Sequence, residues 1–379
     1  MLHSCGRGSA RLFTAPSDAL TLAAGDWPRA WARLQDFLTA HAGESCVGYF
    51  GYDLRDAVEP LPRTIADDFA LPLLHVAAYR GCDEWPSLPV PPPPAAVAAR
   101  DLRAHLPRAE YERRVAQVVE LIRAGDVFQV NLTQPVTGDF DGDPRALFWR
   151  LCHESPAPFA AYLETGEGTA VLSSSPEEFL VLDGGAVRSR PIKGTRPRGR
   201  DEPTDRALLD ELLRSDKDRA ELAMIVDLMR NDLGKVARTG SVTVGPFPEH
   251  DSFAQVHHLF ATVGAELRDD AGVVDLLRAT FPPGSVTGAP KLRAMEIVEQ
   301  LEVVRRGVYT GAIGCIGPGP RLQLNVAIRT LVHRDGRVRF NVGGGITADS
   351  DPAQEFEETL HKAAGIVRAL ATDIVPPHA

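Results

Sequence analysis

Strand-like and helix-like runs follow one another along this chain without a repeating order, and that irregularity restricts the available folds more than any single motif. Apolar residues recur at helical spacing from about Asp26 to Ala42 (Trp31, Leu34, Phe37, Leu38), with Pro28 near the start. Two strand-like segments follow, Val47 to Tyr52 and Leu71 to Tyr79. A second helical face, built from Tyr111, Val115, Val118, Val119 and Ile122, closes at Gly125. In Phe128-Gln129-Val130-Asn131-Leu132-Thr133 apolar side chains alternate with amides and a hydroxyl, which predicts a strand with one polar face. Further strands are read near Ala170 to Ser174, Glu178 to Leu182 and Ala186 to Ile192, and long helices over Asp216 to Val236, Ala289 to Leu301 and Pro352 to Ala371. Between the last two helices, Leu322, Leu324, Val326 and Ile328 alternate with Gln323, Asn325 and Arg329. Arg329 is thus expected on one face with Asn325, and Asp335-Gly336 marks a hairpin turn. A doubly wound parallel sheet needs strict alternation of strand and helix, so this order predicts the α+β class, a large mixed sandwich.

At 379 residues the chain can bury a large core without disulfides or structural metals, and 44% hydrophobic with 24% charged residues is globular composition. Lys and Arg number 41 against 51 Asp and Glu, a net charge of −10. That sign argues against nucleic acid or an anionic membrane as partner, so an anionic ligand must be met by local cations. The five cysteines, Cys5, Cys46, Cys82, Cys152 and Cys315, are odd in number, scattered and free of C-x-x-C spacing, which points to a reducing compartment. No run approaches the roughly 18 apolar residues of a membrane span, and the first residues lack a basic-then-apolar leader, so a cytoplasmic protein is expected. Six of the nine residues from Pro86 to Pro94 are proline, an extended, semi-rigid segment. The expected organisation is an N-terminal, sheet-contributing region over 1–85, a Pro-rich linker over 86–105 and a catalytic region over 106–375.

Several constellations could carry chemistry. Asp351 is placed to cap the last helix with Pro352 at its first position, and in that register Glu355, Glu358 and Lys362 stand at i, i+3 and i+7 behind Gly343-Gly344-Gly345. Asp218 and Glu221 form a second i,i+3 pair near another helix start. Each pair alone also reads as a solvated first turn whose acids complement the helix dipole. Facing each other, they would offer only hard oxygen ligands, the donor set of Mg²⁺ rather than zinc. The segment Arg190 to Gly199 ends a strand in a loop with four cations. Lys193 within it reads as a point charge for a carboxylate, as an amine with a lowered pKa able to attack carbon, or as part of an exposed basic loop. Pro282 to Lys291 looks at first like a phosphate loop but lacks G-x-x-x-x-G-K-[ST]. A metal-dependent phosphate or nucleotide binder is therefore the reading from a different class. His257-His258, inside an apolar stretch, reads by default as a packed core pair.

Together these segments resemble the chorismate-utilising enzymes, over roughly Leu106 to Ala371 and more weakly at Gly48-Tyr49-Phe50-Gly51-Tyr52-Asp53. The stretches that carry the resemblance are Asp126-Val127-Phe128-Gln129-Val130-Asn131-Leu132, Ser174-Ser175-Pro176-Glu177, Pro191-Ile192-Lys193-Gly194-Thr195, Ile225 through Leu233, Gly284 through Lys291, and Gly343-Gly344-Gly345-Ile346. The resemblance implies two sheets with helices outside, as in the anthranilate synthase large subunit. In the isochorismate and salicylate branch a lysine that activates water stands where this chain has Gln129. Anthranilate synthases carry alanine in P-I-x-G-T, whereas Lys193 matches the aminodeoxychorismate synthases. That branch implies Mg²⁺-dependent conversion of chorismate and ammonia to 4-amino-4-deoxychorismate, towards para-aminobenzoate and folate, with the anthranilate synthase large subunit as the alternative.

By the same resemblance, Lys193 adds to C2 of chorismate as the C4 hydroxyl departs, Glu177 protonates the leaving oxygen, and His258 lies near the reacting ring. Arg329, Tyr309 and Gly345 are expected at the enolpyruvyl carboxylate and Gly194 and Thr195 at the ring carboxylate. Lys362 offsets charge near the metal, and Gln129, Ser285 and Thr287 complete the substrate set. Glu221 and Glu358 are implied as direct Mg²⁺ ligands, with Asp218 and Glu355 bound through water. The chemistry requires Lys193 neutral and Glu177 protonated for a useful fraction of the time, so burial should shift both pKa values toward neutrality. No glutaminase domain is recognised, so ammonia is expected from a separate glutamine amidotransferase subunit. The acidic-serine motif through which allosteric relatives bind tryptophan is not found before Pro86. Ala220-Glu221-Leu222-Ala223-Met224 also departs from the commoner pattern with asparagine after the glutamate.

Overall fold

The computed structural model describes residues 1–3, 9–62, 64–86, 88–253 and 255–375. Among these, the chain forms a ten-stranded sheet, a nine-stranded sheet and a small three-stranded one, with antiparallel pairing. The two large sheets face each other. Val47, Tyr49, Ile313 and Cys315 of the nine-stranded sheet pack on Ala161, Leu163, Val171 and Val332 of the ten-stranded one. Helices cover the outer faces: Ala30–Ala40, Asp216–Gly234 and Val273–Thr280 over one sheet, Pro144–Glu154 and Pro352–Ala369 over the other. This is the α+β sandwich that the irregular element order predicts.

The alternation at 128–133 forms the start of the strand Gln129–Asp139. Val130 and Leu132 face the helices Arg108–Arg123 and Lys291–Leu301. Gln129, Asn131 and Thr133 therefore occupy the opposite face. Across from them runs Arg337–Ile346, pairing Gly345 with Asn131 and Gly343 with Thr133. Its hairpin turn uses Asp335 (φ 52°) and Gly336 (φ 74°), as expected of that dipeptide.

Strands between Leu2 and Trp85 enter both large sheets. Within the stretch read as a linker, residues 88–99 have no regular structure, and Arg100–Ala104 forms a strand against Gln129–Asp139. The first helical run divides into a 3-10 segment, Ala24–Arg29, which holds Pro28, and the α-helix proper. The expected helix from Ala289 begins instead at Lys291, because Gly288–Ala289 pairs with the strand at Gln129 and Val130.

One expectation fails at a site residue. The strand Arg321–Val326 ends before Arg329, which adopts φ 48° as the chain crosses to Thr330–Arg334 in the other sheet. A left-handed residue breaks the pleat, so Arg329 does not share a strand face with Asn325. The Asn325 side chain is spent on the backbone, donating to Phe159 O and accepting from Ile313 N.

No described helix is long and apolar enough to cross a membrane. Cys46, Cys82 and Cys315 are free thiols, while Cys5 lies outside the described residues.

Candidate active site

The strand Arg337–Ile346, the small sheet and the helices Asp216–Gly234 and Pro352–Ala369 surround a cavity of about 840 Å³. Its volume suits a small molecule. Glu177, Lys193, Gly194, Thr195, Asp218, Glu221, His258, Ser285, Tyr309, Arg329, Gly345, Glu355, Glu358 and Lys362 all line it. Gln129 and Thr287 do not. Thr287 is fully buried and braces its own turn, donating to Pro283 O at 2.7 Å and accepting from Asn131 N at 2.9 Å. Gln129 is also fully buried, and among the described residues neither of its amide atoms has a hydrogen-bond partner.

Lys193 reaches the cavity through a break in strand register between Ile192 and Thr195. Gly194 sits at φ 84°, and a Cβ there would lie 3.0 Å from Asp218 Cγ, so backbone conformation and close approach both require glycine. At its other end, the Lys193 Nζ lies 3.0 Å from where a Cβ on Gly345 would stand, and Gln129 Nε2 lies 2.8 Å from the same point. Burial lowers the lysine pKa. Glu221 opposes that shift, Lys362 adds to it, and Glu177 and Glu358 again oppose it.

Glu177, 4% exposed, is pushed up to about 7 by burial. A hydrogen bond from Ser285, the Lys193 charge and the Ile192 amide hold it from rising further. Both shifts run in the direction that the chemistry requires.

His258 is held at Nδ1 by the Thr195 hydroxyl, 2.8 Å away. Burial first, then the neighbouring Arg329, depress its pKa to about 3 against a backbone hydrogen bond with Gly194, so the ring is neutral. The adjacent His257 points the other way, to Ser252 Oγ (2.7 Å) and Asp205 Oδ1 (3.0 Å). Both rings are buried and hydrogen-bonded as expected of a packed pair, and of the two only His258 also lines the cavity.

Burial also raises the Tyr309 hydroxyl pKa and lowers that of the Arg329 guanidinium. Burial is the only influence on the Arg329 pKa and no carboxylate among the described residues opposes it, which leaves its fork available to an incoming one.

The four acids come from two helices. Ser215 caps one of them, accepting from Asp218 N, and Asp351 caps the other, accepting from Gln354 N. Among the described residues no three His, Cys, Asp or Glu side chains stand as a ready metal-holding group. Lys362 Nζ lies 2.6 Å from Glu358, Lys217 Nζ 4.0 Å from Glu221 and Arg196 3.3 Å from Asp218, while Ser350 donates to Glu355 at 2.6 Å. Burial raises the pKa of Glu221, and Asp218 and Glu358 add to the rise against Lys193 and Lys217. It raises Glu355 too, with Glu358 adding against Ser350. For Glu358 burial is outweighed by Lys362, and the net shift is downward. Mutual repulsion among acids bearing only oxygen donors is relieved by a hard divalent cation, so the donor set fits Mg²⁺.

Lys291 settles the phosphate-loop question by geometry. Its ammonium is spent on Asp232 Oδ2 (2.5 Å), Thr280 O (2.7 Å) and Pro282 O (2.8 Å), leaving nothing for a phosphate.

The sequence matches the family described as chorismate binding enzyme over residues 1–368. The chain belongs to that family. It is 40% identical over 348 residues to aminodeoxychorismate synthase component 1 of Salmonella typhimurium, a match covering 86% of this chain and 76% of the relative. With anthranilate synthase component 1 of Aquifex aeolicus it is 42% identical over 271 residues, covering 72% of this chain and 55% of that one. In fold it is similar to the crystal structure of anthranilate synthase component I from Streptococcus pneumoniae, with a TM-score of 0.84 and 26% identity over 97% of this chain and 94% of the other.

In this chorismate binding enzyme the cavity wall also includes residues that sequence reasoning missed. Asn131 and Asn341 are buried and line the cavity, and Nδ2 of each has no partner among the described residues. Asn131 belongs to the same polar alternation as Gln129, so the signal was present. Asn341 lies in a strand whose apolar neighbours give no hint of a ligand-facing position.

Proposed function

We propose that the chain is the chorismate-converting component of an aminodeoxychorismate synthase, which replaces the C4 hydroxyl of chorismate with an amino group. The observation that carries this reading is Lys193, whose amine is confined between Gln129 and Gly345 inside the cavity, with its pKa lowered by burial. The relative from Salmonella typhimurium, matched over most of both chains, supports it.

In this account Arg329 and Tyr309 hold the enolpyruvyl carboxylate, and the Gly194 and Thr195 backbone meets the ring carboxylate. Neutral His258, fixed by Thr195, packs beside the ring without adding charge. The Lys193 amine bonds to C2, both ring double bonds shift (C1=C2 to C1=C6 and C5=C6 to C4=C5), and the C4–O bond breaks as Glu177 gives its proton to the departing oxygen, which leaves as water. The new secondary ammonium returns a proton to the Glu177 carboxylate. Ammonia then bonds to C4, the ring double bonds return to C5=C6 and C1=C2 as the C2–N bond breaks, and a proton from the incoming nitrogen restores the Lys193 amine. Glu221 and Glu358, with Asp218 and Glu355 acting through water, are the residues that would hold Mg²⁺. The ion would offset the ring carboxylate charge and orient it. Gln129, Ser285, Thr287, Gly345 and Lys362 complete the proposed surroundings, Ser285 through Glu177 and Thr287 by bracing the wall.

Ammonia is proposed to come from a separate glutamine amidotransferase subunit, in a cytoplasmic heterodimer, with 106–375 as the chorismate-binding region. The word "component" in the relatives' names supports a partner. The match to an anthranilate synthase component keeps C2 amination as the second reading. Incubation with chorismate, Mg²⁺ and ammonium salts, followed by chromatography with and without aminodeoxychorismate lyase, separates the two. The expected product is one that the lyase converts to para-aminobenzoate, and anthranilate as the main product rejects the reading.

A further inference from the structure

Three walls of the cavity come from distant parts of the chain: the strand carrying Gln129 and Asn131, the turn carrying Ser285, and the segment carrying Tyr309. One buried guanidinium touches all three. Arg306, 2% exposed, donates to Asn131 O at 2.6 Å, to Val286 O at 3.0 Å and to Thr310 Oγ1 at 3.1 Å. Its remaining bonds go to Glu302, at 2.9 and 2.7 Å. Glu302, 4% exposed, accepts in turn from Thr133 N and Thr133 Oγ1, both at 2.9 Å.

We propose that Arg306 and Glu302 are positioning residues for this active site, a rigid fork that holds the Gln129 strand, the Ser285 turn and Tyr309 in mutual register. Neither residue lines the cavity. A buried ion pair is weak grounds for stability, since apolar side chains of similar volume often serve as well. What apolar side chains cannot do is bind a carbonyl, a hydroxyl and a second carbonyl at fixed angles, and the planar guanidinium does this.

The same interior contains an internal control. Arg55 and Glu299 form a second buried pair, and both arginines lie over the Tyr52 ring, at 4.4 Å for Arg306 and 5.2 Å for Arg55. Arg55 donates to Met295 O, and Glu299 accepts from the amides of Thr64 and Ile65. None of these lines the cavity. The two pairs have comparable burial and differ in what they hold.

The link to chemistry runs through Val286. Its neighbour Ser285 donates to Glu177 and keeps that carboxyl from rising further. Loosening the turn removes this bond, so Glu177 keeps its proton to higher pH. The inference rests on the proposed function only in taking Glu177 as the proton donor.

The test measures kcat/KM for chorismate consumption against pH, at saturating ammonium, for the wild type, Arg306→Lys and Arg55→Lys. Lysine keeps the charge opposite each glutamate but lacks the fork. Arg306→Lys is expected to lose about tenfold or more in kcat/KM and to move the alkaline limb up by about one pH unit. Arg55→Lys is expected to lower the melting temperature while leaving the limb in place. A wild-type limb in Arg306→Lys, or equal limb shifts in both variants, overturns the proposal. If Arg306→Lys does not fold, Thr310→Val removes the Arg306 contact, along with the hydroxyl's bond to Tyr309 O, and no charge. It is expected to raise KM about threefold, and an unchanged KM overturns the proposal. Because consumption is followed whatever the product, anthranilate formation would reject the proposed function while leaving this comparison intact.

Discussion

A methyl group added to Gly345 would lie 3.0 Å from Nζ of Lys193 and 2.8 Å from Nε2 of Gln129. Both neighbours are ends of flexible side chains, and Gly345 is not among the glycines with positive φ, so its backbone tolerates a side chain. Gly345→Ala is therefore expected to fold normally but to displace the amine. We expect kcat/KM to fall by about 10- to 100-fold with little change in melting temperature. Circular dichroism melts beside steady-state rates check this, and wild-type rates would show that the amine does not need its present position.

In the proposed mechanism Glu177 acts as an acid with its pKa raised to about 7, so loss of the last proton from the Glu177–Lys193 pair sets the alkaline limb of the rate. Lys193 must be neutral at the same time, so the active form of the pair carries a single proton and kcat/KM should trace a bell. Glu177→Gln is expected to cost about 10²- to 10⁴-fold and to abolish the alkaline limb. A retained alkaline limb would assign that titration to another group.

His258 makes the opposite contribution to stability. Its folded pKa, about 3, lies below the ordinary value of 6.5. The unfolded chain thus takes up the proton first, and the stability present above pH 6.5 is lost as pH falls toward 3. This costs about 1.4 kcal/mol per pH unit while the difference of one proton persists. Glu177, whose pKa is raised from 4.5, runs the other way: its contribution is present below 4.5 and lost as pH rises to about 7. Urea denaturation from pH 4 to 6.5 should show a shallower acid destabilisation in His258→Leu than in the wild type. Identical slopes would mean that His258 titrates normally.

The acid quartet predicts a metal response. Glu221→Gln and Glu358→Gln are each expected to raise the Mg²⁺ concentration for half-maximal activity by about tenfold or more, and chelation should silence the wild type reversibly. Titrations of activity with Mg²⁺ test this, and unchanged half-points in both variants would remove the two helices from metal binding.

The polar alternation at Gln129, Asn131 and Thr133 and the cap Asp351 were legible because strand and helix periods are local. So were the acid pairs, whose spacing fixes a helix face. The position of Arg329 was not legible: its alternation with Asn325 continues past the end of the strand, and only the crossing between sheets decides where the guanidinium goes. Arg306 and Glu302 were equally hidden. An i,i+4 pair beyond a helix end looks ordinary, and its partners Asn131 and Thr133 lie 175 and 169 residues away in sequence. Gln129 carried a substrate assignment in the sequence, yet the structure sets it behind the cavity lining, beside the lysine.

The central claim is a transient bond between Lys193 and the chorismate ring. Quenching the protein with chorismate and Mg²⁺ in the absence of ammonia, followed by peptide mass spectrometry, tests it most directly. An adduct of chorismate less one water is expected on the peptide containing Lys193, absent from Lys193→Ala and discharged by adding ammonium. No adduct on that peptide, together with undiminished C4 amination by Lys193→Ala, would contradict it.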